Sequence, residues 1–123
     1  MTVFSDAQDK SKWHLTVLLY VPDWIDQKMF NEAMTSLVTK KDPPKNLEKV
    51  RFGTLGESLS VQTLFVGPYA KVGPVIEKMH KEFMPEHGLK PTAKHHEIYM
   101  SDIRRVTPEK LRTIIRQPVR KIA

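Results

Sequence analysis

Residues 94–102, KHHEIYMSD, set a carboxylate between an imidazole and a phenol. Alternate side chains of an extended segment share a face, which puts His95, Glu97 and Tyr99 on one side and His96, Ile98 and Met100 on the other. A carboxylate drawn out of water in such company can neutralise a cationic ligand, accept a hydrogen bond, or act as a general base toward water. Periodicity permits all three and selects none. A strand acid facing solvent is the plain alternative.

Other chemistry is thinly represented. The chain has no cysteine, which excludes thiolate nucleophiles, disulfides and cysteine-based zinc fingers. The patterns GxGxxG, GxxxxGK[ST] and GxSxG are absent. His14, His80 and His87 lie at no recognised ligand spacing, and His95 and His96 point apart, so neither a metal nor a cofactor is expected. Aromatic side chains supply the remaining material. Tyr69 stands in a GPY loop leaving a strand, where binding residues tend to collect. Trp13, Tyr20, Trp24, Phe65, Tyr69 and Tyr99 are candidates to wall a mostly apolar hollow around Glu97. The expected ligand-binding residues are therefore Glu97, Tyr99, Tyr69, Trp13, Phe65 and His95, with Glu97 as the catalytic candidate if the chain is an enzyme.

A length of 123 residues suits one domain, and the formal charge of +6 raises the question of nucleic acid. Acids interleave with the bases at 40–51. The basic stretch 104–121 carries no helix-turn-helix or zinc-finger pattern, so a solvated basic surface is the expectation. No apolar run is long enough to cross a bilayer, and the first twelve residues lack a secretory pattern. A cytoplasmic address is expected, with no membrane or nucleic-acid partner.

The elements that must position these residues follow from pattern. Residues 1–12 read as a loose tail and 13–123 as the domain. WHLTVLLYV (13–21) reads as a strand stopped by Pro22. Asp26 then caps a helix whose stripe is Met29, Phe30, Ala33, Met34, Leu37 and Val38. DPP at 42–44 breaks the chain. Segments 48–54 and 58–66 read as a hairpin. Pro74 opens a second helix with Ile76, Met79, His80 and Phe83 on one face, closed by Pro85 and Gly88. The 94–102 strand, a turn at 107–110 and a strand at 111–119 closed by Pro118 complete the order β-α-β-β-α-β-β. The fold class is α+β, an antiparallel sheet with two helices on one face.

VQTLFVGPY, VIEKMHKEF, KHHEIYMSDIRR and TPEKLRTIIRQPV together resemble the C-terminal half of the GyrI-like small-molecule-binding domain family, nearest the branch with an HHEIYLSDPRR segment. Ile103 replaces that branch's proline, and Leu15 stands where relatives often carry tryptophan. The resemblance implies two strand-helix-strand-strand (SHS2-type) modules around a pseudo-twofold axis, with a ligand cleft that the strand acid, here Glu97, enters. It further implies aromatic or cationic small-molecule ligands, with sensing, sequestration or detoxification as the role. Some relatives resemble hydrolases that open the cyclopropane ring of DNA-alkylating natural products, and others act as protein-interaction modules of gyrase-inhibitor type. By the same resemblance, the family's first strand-helix-strand segment is expected to be missing from this chain. An exposed sheet edge would result, and a homodimer is expected to cover it.

Overall fold

The computed structural model describes residues 14–123; the tail at 1–12 and Trp13 lie outside the described residues. The chain divides into two compact units, Leu15–Gly56 in one and Glu57–Ala123 in the other.

In the smaller unit, α1 (Gln27–Val38) starts where expected, with the Asp26 carboxylate accepting the Met29 N–H at 2.8 Å. Phe30 stacks on Phe52, ring centroids 5.7 Å apart. The two strands expected in this region do not form. Residues 14–21 are irregular and exposed, and 48–54 holds only the end of a 3-10 turn (Leu47–Lys49). The reason is pairing. A strand is stable only against a partner, and 58–66, the supposed hairpin mate of 48–54, pairs instead with the far end of the chain. Strong β propensity at 13–21 and 48–54 is therefore not enough.

The larger unit is built around β4 (Arg112–Lys121). On one side it pairs antiparallel with β1 (Ser60–Val66); on the other it pairs with β3 (His96–Tyr99) and then β2 (Leu89–Pro91). The sheet is open and antiparallel, so the expected mixed class of helix and antiparallel sheet holds. Pro118 was expected to close the last strand, yet β4 runs past it. Odd-numbered β4 groups bond toward β1, as in Val119 N–H to Leu59 O at 2.8 Å, and even-numbered ones bond the other way, as in Thr92 N–H to Pro118 O at 3.1 Å. The donor that Pro118 lacks thus falls at the junction of β2 and β3, where no ladder bond is needed.

One helical stretch covers this sheet. It begins as α2 (Gly73–Lys78), widens to a π-helical segment (Met79–Phe83), and ends in the turn α3 (Met84–Glu86) with Gly88 left-handed at φ 62°. Pro85 was expected to stop the helix. In a regular α turn its ring would collide with the Lys81 carbonyl, and widening avoids that collision: Met84 N–H bonds five residues back, to Met79 O. The extra residue shifts the buried phase by one. Met84 is 1% exposed, whereas Phe83, expected inward, is 43% exposed. Ile76, Met79 and Met84 pack on Ile115 and Val119, and Val61, Phe65, Val72 and Leu89 border them.

Candidate functional site

The odd-numbered residues of β4 face the helix, and they set the frame of the site. Thr113, Ile115, Gln117 and Val119 are all buried, as is Leu111 just before the strand. Register then places Tyr99 opposite Thr113 and Glu97 opposite Ile115. Glu97 therefore stands on the helix-covered side of the sheet, on the half nearest β3, and its side chain is 26% exposed.

Its partners are those the alternation named. The Tyr99 hydroxyl donates to Glu97 Oε2 at 2.7 Å, and His95 Nε2 lies 3.4 Å from Oε1. The contact with His95 holds the Glu97 carboxyl below its usual range, against the opposing effect of burial and with help from Tyr99. The acid is thus ionised at neutral pH. Tyr99 is affected oppositely: burial first, and then the neighbouring carboxylate, raise its phenol, which stays protonated as the donor.

Tyr69 reaches this group from the loop after β1. The loop turns at Gly67, whose φ of 147° disfavours a side chain, and a Cβ there would come within 3.1 Å of the Phe65 ring. The Gly67 N–H is tied to Leu111 O at 2.8 Å. A 3-10 turn (Tyr69–Lys71) follows, and the Tyr69 and Tyr99 rings meet at 5.1 Å, tilted by 56°.

Four expected site residues therefore come together: Glu97, Tyr99, His95 and Tyr69. Phe65 does not join them; it packs against the buried apolar cluster. Trp13 lies outside the described residues. Two side chains escaped the sequence reading. Thr113 is 1% exposed with its hydroxyl unpartnered, and Gln117 is buried beside His80. A signal for both exists in LRTIIRQPV, where alternate positions are apolar except for these two.

The segment after β3 serves structure. Asp102 accepts the Arg104 N–H at 2.9 Å and grips its guanidinium at 3.0 and 2.9 Å, and Ser101 Oγ accepts the Arg112 N–H at 3.0 Å. The turn closes with Ile103 in place of proline. Two surface depressions lie away from the acid. One of about 430 Å³ on the opposite sheet face is lined by Leu64, Met100, Arg112 and Ile114, and one of about 340 Å³ lies between β1 and the helix. Neither offers an acid or a paired phenol. The chemistry, not the volume, marks the Glu97 cluster as the candidate.

Comparison with known proteins agrees with the fold. A crystal structure of a hydrolase from Listeria innocua is 34% identical with a TM-score of 0.66, the match covering 81% of this chain and 52% of that one. An uncharacterized conserved protein from the same organism is 35% identical with a TM-score of 0.69, covering 81% and 50%. A further Listeria innocua structure described as a hydrolase gives 35% and 0.65, covering 81% and 50%. The chain thus spans about half the length of the structures it matches. No curated protein matches it. No described helix is long and apolar enough to cross a membrane. The family model of the GyrI-like small molecule binding domain matches residues 15–120, and the chain belongs to that family.

Proposed function

We propose that the small molecule held by this domain is a planar, aromatic cation anchored on Glu97. One observation carries the reading: an ionised carboxylate, mostly withdrawn from water, stands beside the Tyr69–Tyr99 ring pair. The carboxylate supplies the counter-charge and the rings supply faces for stacking and cation–π contact. Sensing, sequestration or detoxification of such compounds follows as the role. A thermal-shift screen against planar cationic dyes tests it, because a ligand of the native state raises the unfolding midpoint. Hits should vanish in Glu97→Gln. A hit that survives the substitution unchanged removes the acid as anchor.

Hydrolysis is the second reading, favoured by the pairing of an ionised acid with a protonated phenol and by the Listeria structures described as hydrolases. On a strained electrophile such as a cyclopropane conjugated to a carbonyl, water oxygen would bond to a ring carbon while Glu97 takes the water proton. The breaking C–C pair would pass to the conjugated oxygen and be protonated from solvent. Mass spectrometry of such a compound after incubation separates the readings. A gain of one water that depends on Glu97 supports hydrolysis, and bound but unaltered compound supports binding alone.

A further inference from the structure

One edge of the sheet is open. Among the described residues β1 pairs with β4 on one side and with no strand on the other. Odd-numbered β4 groups bond toward β1, and Val61, Thr63 and Phe65 return those bonds. The backbone N–H and C=O groups of Gln62, Leu64 and Val66 therefore point away from β4. Nothing blunts this edge: SVQTLFV holds no charge and no proline, the devices that usually keep edge strands from pairing.

The hollow of about 340 Å³ adjoins that edge on the helix side, lined chiefly by Val61, Val75, Met79 and Phe83. Phe83 is available to it because the π segment turns that ring out of the core. A strand laid along β1 would send alternate side chains into this hollow.

The chain itself contains a segment of that character. Residues 15–21, LTVLLYV, match the seven residues of β1 in length, are of strongly β-prone types, and belong to no helix or strand. Leu15, Val17, Leu18, Leu19 and Tyr20 are each between 61% and 89% exposed, an apolar patch that a lone soluble chain rarely shows. One alternate set, Leu15, Val17, Leu19 and Val21, is wholly apolar and suits the hollow.

Charge and area both favour a second copy as the source. Two copies at +6 repel except where charge is absent. The two longest runs without Asp, Glu, Lys or Arg are 13–22 and 58–70, which hold this segment and β1. Five such side chains, at roughly 100 Å² each, withdraw about 500 Å² per segment. Two segments, with the surface they cover, then reach the size of a specific interface, about 1,200–2,000 Å².

We propose that residues 15–21 of one copy add as a strand to the open β1 edge of a second copy, and reciprocally, closing a twofold dimer.

Light scattering of the full chain should give twice the chain mass at about 100 µM, with monomer appearing on dilution. Amide hydrogen exchange locates the contact. The dissociated fraction falls as the inverse square root of concentration, so exchange at 15–21 should slow about tenfold from about 1 to 100 µM. The outward amides of Gln62 and Leu64 should slow with it. Val17→Lys combined with Leu19→Lys, both at exposed positions, should leave the far-UV circular dichroism unchanged and abolish the dimer. Leu64→Pro, which removes an outward donor of β1, should do the same from the receiving side. A dimer that survives both changes uses another surface. A monomer with 15–21 protected at every concentration holds the segment on its own chain, and a monomer with 15–21 unprotected forms no such strand. Any of these three results overturns the proposal. Should a variant misfold, the concentration dependence of exchange in the unmodified chain decides alone.

Discussion

One face of the sheet carries two regions with opposite properties, both served by β4. Under the helix, Ile115 and Val119 meet Ile76, Met79 and Met84 in an apolar cluster with Ile115 wholly buried. A strand's width away, Tyr99, Glu97 and His95 form a polar row whose members bond chiefly to one another, with Tyr99 59% exposed. The alternation of β4 aims every odd residue at this face, so the strand alone does not separate the two regions. The cover does: the helix presents apolar side chains over one half, and loops bring Tyr69 over the other. Stability is concentrated in the first region and chemistry in the second.

Substitution on the apolar side should break the fold first. Ile115→Ala removes a side chain with no access to water and should cost about 2–5 kcal/mol in urea unfolding, combining lost transfer energy with a cavity. Dye affinity, measured under conditions where the variant stays folded, should change little. Glu97→Gln should invert that profile. Stability should fall by about 1 kcal/mol or less, because a neutral amide oxygen still accepts from Tyr99. Affinity for a planar cation should fall at least about tenfold, since the counter-charge is gone. A large stability loss in Glu97→Gln with affinity intact would dissolve the contrast.

Local pattern made the polar region legible and left the pairing of strands obscure. KHHEIYMSD needed only two-residue alternation to place His95, Glu97 and Tyr99 together, and register with β4 preserved it. Tyr69 was legible because Gly67 and Pro68 mark a turn leaving β1. The hairpin at 48–66 misled because adjacency in sequence is only a prior on pairing; β1 joins β4 from far along the chain, Val66 meeting Arg112 and Ser60 meeting Pro118. Pro85 misled for a related reason. It reads as a helix stop, but tertiary packing of Met84 holds the chain helical, and the conflict emerges as the π segment. Gln117 and Thr113 read as interruptions of an apolar strand, with no local signal for what they meet.

Thr113 sharpens the comparison at the boundary between the regions, flanked in register by Phe65 and Tyr99. Its buried, unpartnered hydroxyl is a cost that packing alone has no use for. Thr113→Val keeps the shape and removes that group, and should raise stability by about 1 kcal/mol in thermal or urea unfolding. A loss of stability of similar size would show that the hydroxyl is partnered in solution.

The smallest effect separates the regions by pH. The Glu97 carboxyl is held below its ordinary value of 4.5, chiefly by His95. A group whose folded pKa is depressed stabilises the fold above its unfolded value and loses that contribution as pH falls through the folded one. The stability gap between the unmodified chain and Glu97→Gln should therefore be constant near neutral pH. It should begin to narrow at about the ordinary carboxyl value and close as pH falls through the lowered folded value, below which both side chains are neutral. Ile115→Ala has no ionisable group to lose, so its deficit should persist unchanged across the same range. Urea midpoints for the three proteins from neutral to acid pH provide the measurement. If the Glu97→Gln gap also stayed flat, the charge on Glu97 would contribute nothing to the folded state, and the polar row would owe its order to packing alone.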